Sequence, residues 1–425
     1  MTEKWVKNLI VASVLAFCIY LGFGMILPIF PEYVDRLGGG GFELGVLMAS
    51  FMFTRAFLAR AFGKLSDRVG RKRVIISGMF LYALLAYLFT IPDSWWGLIF
   101  VRVMQGTASA MVWPVGEALV VDSAPPSKRS RAISIYIFLT NLGIVAGPLL
   151  GGLIILTAGS GLGLDPLVSI KAPFYFTSVI SLAGAVIGIL YLKDVLPPIK
   201  DRLRRRREEK LAYARIKRRI RSSLFILYAN SLFEGLSWSL GSLVMYYFMR
   251  DNFGIEEVAF SILFGVSQGL ALLFVYPSGA MSDRTRKKPF VVWGSIGTRI
   301  ATLILAFTPL MPGGKWLAFL TYAGKDTGRQ IAMPATRALQ ADLTPRRLRG
   351  TIIGTIQAYS NVGAVIGPVM GGLIWDLTNS RQYDIGILDI PGDSIPFLIS
   401  ALLGIIPAYV VLRWVYEPPK GKTVG

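Results

Sequence analysis

The chain contains no histidine and a single cysteine. Without histidine there is no imidazole metal site and no histidine proton relay, so any proton carried through this protein must ride on a carboxylate. One cysteine, Cys18, cannot close an intramolecular disulfide, and the redox compartment stays open. No Gly-x-x-x-x-Gly-Lys-Ser/Thr loop occurs, which argues against direct ATP drive. No nucleophile–base pair or metal-ligand cluster stands out, so neither an enzyme nor a bound metal or cofactor is expected. Charge is sparse as well, 16% of 425 residues, and acids are scarcer than bases, 25 against 45.

What fills the chain instead is apolar sequence: 53% of it, with a mean hydropathy of +0.56. The apolar residues come in runs long enough for membrane-crossing helices, which need roughly 20 residues because only a helix or a closed barrel satisfies its backbone in lipid. Twelve runs are expected to be spans: 8–35, 43–64, 73–92, 95–122, 130–158, 172–193, 223–249, 257–281, 289–309, 315–341, 350–377 and 394–415. The expected fold is an all-α membrane protein, twelve transmembrane helices in two pseudo-symmetric six-helix bundles. Residues 1–193 form the first bundle, 194–221 a basic cytoplasmic linker, and 222–425 the second bundle.

The net charge of +20 invites a nucleic-acid reading, but its placement opposes one. Loops 64–73, 125–131, 194–221, 284–288 and 346–349 hold 27 Lys and Arg, and the loops between them hold few. Short basic loops stay cytoplasmic. The excess therefore sets topology: a multi-pass protein of the cell membrane with both termini cytoplasmic, and no nucleic-acid partner. The expected partners are the lipid bilayer and a small-molecule substrate, with the chain acting as a monomer.

Two sequence devices occur twice. Gly63-Lys64-Leu65-Ser66-Asp67-Arg68-Val69-Gly70-Arg71-Lys72-Arg73 returns 216 residues later as Gly279-Ala280-Met281-Ser282-Asp283-Arg284-Thr285-Arg286-Lys287-Lys288. Asn141-Leu142-Gly143-Ile144-Val145-Ala146-Gly147-Pro148-Leu149-Leu150-Gly151-Gly152 returns 220 residues later as Asn361-Val362-Gly363-Ala364-Val365-Ile366-Gly367-Pro368-Val369-Met370-Gly371-Gly372. Glycines every fourth residue line one helix face and let a neighbour approach closely. Pro148 weakens its helix and permits bending. A duplicated bundle with a site between its halves is a common plan for secondary transporters.

These motifs resemble the major facilitator superfamily over nearly the whole chain, and most of all its twelve-span drug:proton antiporter branch. Three further elements fit that branch: Leu21-Gly22 with Pro28-Ile29-Phe30-Pro31, Arg102-Val103-Met104-Gln105-Gly106, and the Gly-Pro-x-x-Gly-Gly tail at Gly147–Gly152. The resemblance implies a cytoplasmic latch. In it Gly63 lets span 2 approach span 11, Asp67 sits near a helix N-terminus, and Arg68, Arg71 and Arg73 pair with acids such as Asp122. Gly70, and Gly279, Asp283 and Arg284 in the second copy, belong to the same gate. The resemblance also implies that Arg102 faces the cavity and influences proton exchange. One departure matters: the acid that some relatives carry in span 1 is here Gly24.

Ionisable groups inside spans are costly and mark function. The acids so placed are Glu117, Glu234 and Asp326; the bases include Arg102, Lys325, Arg329 and Arg337, while Arg55 and Arg299 are read as structural. Helical spacing puts Arg102, Gln105, Trp113 and Glu117 broadly on one face, and Lys325, Arg329 and Arg337 on another with Asp326 adjacent. Glu234 and Trp238 would complete the substrate or proton pathway. The surplus of bases fits an anionic, zwitterionic or amphiphilic solute. The leading expectation is proton-coupled efflux by alternating access, with the proton gradient as energy source and Glu117 as carrier. The alternatives are an importer or uniporter of an organic anion or sugar, and a non-transporting membrane sensor or scaffold.

Overall fold

The computed structural model describes residues 2–125, 128–194, 218–344, 349–384 and 389–417. Residues 195–217, most of the expected linker, lie outside the described residues.

Helices dominate, as an apolar chain without water to solvate its backbone requires. They are α1 Thr2–Ile26, α2 Phe30–Arg36, α3 Gly41–Val69, α4 Arg71–Leu88, α5 Trp95–Ser123, α6 Arg129–Leu156 and α7 Pro166–Tyr191. Beyond residue 217 come α8 Arg218–Leu243, α9 Met245–Phe253, α10 Glu257–Leu273, α11 Val275–Arg284, α12 Lys287–Phe307, α13 Gly314–Asp342, α14 Arg349–Thr378 and α15 Ile395–Trp414. The only strands among the described residues, Gln382–Asp384 and Asp389–Pro391, form an antiparallel pair in the loop between α14 and α15.

Nine segments of the described residues are long and apolar enough to cross a membrane. Three of the expected spans are not among them. α4, α8 and α13 stand where those spans were placed, with 18, 26 and 29 residues. Their apolarity is diluted by Arg71 and Arg73, by Asn230 and Glu234, and by Lys325, Asp326 and Arg329 respectively. The expected run 8–35 is divided near Pro28, so α1 gives way to the short α2. The runs 223–249 and 257–281 are interrupted too, at Val244 and Phe274. Pro277 falls in the first turn of α11, where its missing N–H has no intrahelical acceptor to lose.

The chain divides into two compact units, Met1–Pro197 with Ile255–Val266, and Pro198–Gly254 with Ser267–Gly425. In the first, α1 packs on α6 and α7, α4 packs on α5 and α7, and α3 packs on α5. In the second, α8 packs on α14 and α15, α12 packs on α13 and α15, and α11 packs on α13. The set of neighbours is the same, with α1 matched by α8, α4 by α12, α5 by α13, α6 by α14 and α7 by α15.

The repeated glycines explain the closest of these contacts. A Cβ on Gly143 would stand 2.9 Å from the Phe17 carbonyl oxygen, one on Gly147 2.6 Å from that of Leu21, and one on Gly151 2.8 Å from that of Met25. These are backbone atoms of α1, stepped one turn at a time. In the second unit, a Cβ on Gly363 would stand 2.5 Å from the Leu236 amide nitrogen and one on Gly367 2.6 Å from the Leu236 carbonyl oxygen, while Gly371 abuts Leu240. Any side chain would push α14 off α8. Pro148 and Pro368 lie inside these same helices. Large apolar side chains such as Phe57, Trp96, Tyr276 and Trp293 stay exposed, as helices facing lipid allow.

Candidate functional site

The junction between α3 and α4 is built around Gly70, whose φ of +103° is open to glycine but strained for other residues. This sharp turn presents the first amides of α4 to Asp194, which follows α7. Asp194 Oδ1 accepts from Arg71 N at 2.8 Å and Lys72 N at 3.4 Å. Arg71 then reaches Asp122 at 2.5 Å and Asp67 at 3.4 Å, tying the ends of α3, α4 and α5 together. Arg68 is exposed. A Cβ on Gly63 would meet no described atom within 4 Å.

The second unit repeats the arrangement with different residues. Glu417 Oε1 accepts from Lys287 N at 2.6 Å and Lys288 N at 3.3 Å, and Lys287 Nζ pairs with Asp342. Lys72 Nζ donates to the Ile189 carbonyl and Lys288 Nζ to that of Val415. Gly279 lies against Pro334 of α13, Arg284 is exposed, and the Asp283 side chain is outside the described residues.

Deeper in the first unit, the residues expected on one face of α5 part company. Arg102 is 2% exposed. Its guanidinium lies 3.7 Å from the ring of Phe30, with Phe89 at 5.3 Å and Phe51 at 5.8 Å, and donates to Gln105 Oε1 at 2.9 Å. Among the described residues no carboxylate pairs with it. Arg102 and Gln105 therefore sit in an aromatic enclosure rather than on an open cavity. Trp113 lies further along α5, stacked on Tyr20 at 4.5 Å and covered by Arg55 at 4.0 Å, with Phe23 bridging it to Phe51. Glu117 is exposed, and its charge acts on Arg55 and Tyr20. It lies fifteen residues from Arg102, about 22 Å along a helix.

The second unit gathers its charges. Arg299, 3% exposed, donates to Glu234 Oε2 at 2.7 Å and to Ser237 Oγ at 2.5 Å. Ser237 and Ser400 exchange hydroxyl-to-carbonyl bonds at 2.7 Å each, locking α8 to α15 behind the guanidinium. Gly404 leaves room for the arginine: a Cβ there would collide with it. Asp326 is buried and accepts from Ser267 Oγ and Gln268 Nε2, both at 3.1 Å. Lys325 Nζ stands 4.8 Å from the Tyr322 ring and the Arg329 guanidinium 5.2 Å from Trp238.

Glu234, Trp238, Arg299, Lys325, Asp326 and Arg329 all line one narrow cavity of about 20 Å³. Glu234 and Arg329 also line a wider cleft of about 170 Å³ that includes Arg337, whose Nη2 donates to Gln357 at 3.2 Å. Arg299, read as structural from the sequence, is the centre of this group. The signal for it was available: a membrane-embedded acid needs a cation, and Glu234 had none assigned.

Such a group of charges, set in helices otherwise apolar, can hydrogen-bond and neutralise a polar solute. The model of the Major Facilitator Superfamily matches residues 12–324 and again 227–425. The chain belongs to the major facilitator superfamily. Its curated relatives include multidrug resistance protein 2 of Bacillus subtilis, 26% identical over 364 residues, which cover 85% of this chain and 87% of that one. The quinolone resistance protein NorA of Staphylococcus aureus is 24% identical over 378 residues, 87% of this chain and 90% of the relative. Among solved structures, a bacterial homologue of the human lysosomal transporter Spinster superposes with a TM-score of 0.80 at 15% identity, covering 98% of both chains, a likeness of fold. The protein is thus a multi-pass membrane transporter of the superfamily.

Proposed function

We propose that this superfamily member is a twelve-span secondary transporter that exports small amphiphilic or anionic solutes in exchange for protons. α4, α8 and α13 supply the three spans beyond the nine apolar segments, their polar residues turned to tasks inside the protein. One observation carries the reading: the second unit's cavity, where Glu234, Arg299, Lys325, Asp326 and Arg329 meet. Five buried or half-buried charges in membrane helices are expensive and have no packing purpose that apolar residues would not serve better. The resistance proteins among the relatives favour export. Alternating access, with both termini in the cytoplasm and the proton gradient as energy source, completes the proposal.

The geometry moves our choice of proton carrier. Glu117 was favoured because Arg102 shared its face, and that support falls with Arg102 enclosed by aromatic rings. Glu234 has one oxygen bound by Arg299, while its Oε1 is buried without a hydrogen-bond partner among the described residues. An unpaired buried carboxylate oxygen is costly, and a proton there turns it into a donor. Purified protein in proteoliposomes, with a pH dye inside, tests this. Substrate-dependent proton movement is expected, and Glu234→Gln should abolish uphill flux while downhill counterflow persists. Uphill flux in Glu234→Gln would pass the role to Asp326 or Glu117. Cells carrying the gene should resist toxic substrates; substrate accumulation instead would reverse the direction to import.

A further inference from the structure

We infer that Lys325, Arg329 and Trp238 form a subsite for the carboxylate of an aromatic monoanion. The inference deepens the proposed transport function and rests on it for the site's purpose, though binding can be measured without transport.

Lys325 and Arg329 lie four residues apart on α13 and line the same cavity. Like charges at this spacing repel, and burial removes the water that would screen them. Lys325 is 8% exposed. Each would ordinarily be neutralised by an acid, yet among the described residues neither is ion-paired. The two acids of the cavity are engaged elsewhere: Glu234 holds Arg299 at 2.7 Å, and Asp326 accepts from Ser267 and Gln268 at 3.1 Å, drawing Lys325 only through its charge. The contacts of the two cations are aromatic rings, Tyr322 for Lys325 and Trp238 for Arg329. Arg329 Nε is buried with no hydrogen-bond partner among the described residues.

An oxyanion placed between the two cations relieves their repulsion. An arginine whose Nε–H is free receives a carboxylate side-on, through Nε–H and one Nη–H. The cavity holds three cations and two acids, a surplus of one, so a monoanion balances it and a dianion overshoots. Trp238, 37% exposed beside Arg329, offers a ring face on which the anion's own aromatic ring can stack.

The test is thermal stabilisation of the purified full-length protein by benzoate, by the neutral isostere benzamide, and by inorganic phosphate. Benzoate should raise the melting temperature saturably, with benzamide and phosphate far weaker. Arg329→Gln and Lys325→Gln should each weaken benzoate binding about tenfold or more, as loss of a charge-assisted hydrogen bond implies. Arg329→Lys, which keeps the charge but not the fork, should fall between, and Lys171→Gln should bind as the parent does. Without ligand, Arg329→Gln should melt no lower than the parent, because it removes a repulsion, so lost binding is not mistaken for unfolding. Equal stabilisation by benzoate and benzamide, or unchanged benzoate affinity in Arg329→Gln, overturns the subsite. Phosphate binding more tightly than benzoate overturns the monoanion assignment. Benzoate binding through these residues with no solute flux in proteoliposomes leaves the subsite standing and removes the transport reading. Flux without benzoate binding does the reverse.

Discussion

Arg102 in the first unit and Arg299 in the second are the most buried arginines among the described residues, 2% and 3% exposed, and the two are treated in opposite ways. Arg102 is surrounded by Phe30, Phe51 and Phe89 and bonded to the neutral Gln105. Arg299 is bonded to the carboxylate of Glu234 and to Ser237, which is itself bonded to Ser400. The helices around them share one packing plan, down to glycines that admit a neighbouring backbone. Duplication has thus kept the scaffold and let the polar contents diverge. Helix contacts at backbone distance tolerate almost no change, whereas a buried cation can be satisfied by several chemistries: quadrupoles of rings, a carboxylate, or hydroxyls.

The strongest way to break the shared part of the comparison is to fill the glycine contacts. Gly147→Leu and Gly367→Leu each force a side chain into backbone atoms of the facing helix, so both should bring flux to background and sharply reduce the yield of folded protein. Gly354→Leu, on α14 but with no described atom within 4 Å of its Cβ position, should leave both nearly unchanged. If either stripe tolerated leucine while the other did not, the packing equivalence of the units would be lost.

The divergent part is sharpened by removing the two arginines. Arg299→Met strands Glu234, and breaking a buried pair costs about 3–5 kcal/mol. The Glu234 side chain is 31% exposed, so solvent should reduce this toward the lower end or below it. Arg102→Met leaves no charge behind. It gives up desolvated contacts with rings worth about 2 kcal/mol or more and its bond to Gln105, but it also removes a buried cation, so the net loss should be smaller than that of Arg299→Met. Melting temperatures of the two variants in one detergent decide the matter. A larger loss for Arg102→Met would mean that the aromatic enclosure is the firmer of the two settlements.

The sequence made the scaffold readable because close packing leaves a signature in residue type: glycine at every fourth position means a neighbour at that face. The polar site was less readable. Helical spacing assigned Arg102, Trp113 and Glu117 to a common face of α5, but three rings drawn from α2, α3 and the end of α4 enclose Arg102. Spacing along one helix says nothing of which neighbours arrive from elsewhere in the chain. The sequence reads Arg299 as structural and leaves its partner unnamed, since Glu234 is 65 residues away. The interruption at Val244 carries no proline to announce it, unlike the one near Pro28. The caps on α4 and α12 did have a signal that was passed over. In both halves the last span is followed by an acid and then two consecutive prolines, Asp194 before Pro197-Pro198 and Glu417 before Pro418-Pro419.

Those caps carry the smallest expected effect and the finest test of the repeat. Asp194 accepts from the first two amides of α4, and Glu417 from the first two of α12. Each carboxylate meets orphan N–H groups and the positive end of a helix, a setting in which loss of the cap costs about 0.5–2 kcal/mol. Asp194→Asn keeps an acceptor oxygen and loses the charge, so it should cost about 1 kcal/mol or less, and Asp194→Ala should cost more. Glu417→Gln and Glu417→Ala should follow the same order. Amide hydrogen exchange at Arg71 and Lys72, and at Lys287 and Lys288, reads the effect where it arises: each alanine variant should speed exchange at its own pair and leave the other pair alone. The two units keep these caps through different acids, aspartate in one and glutamate in the other, so equal local losses would show that the repeat preserves the carboxylate's task rather than its side chain. Exchange unchanged at Lys287 and Lys288 in Glu417→Ala would confine the capping role to the first unit and end the equivalence at this point.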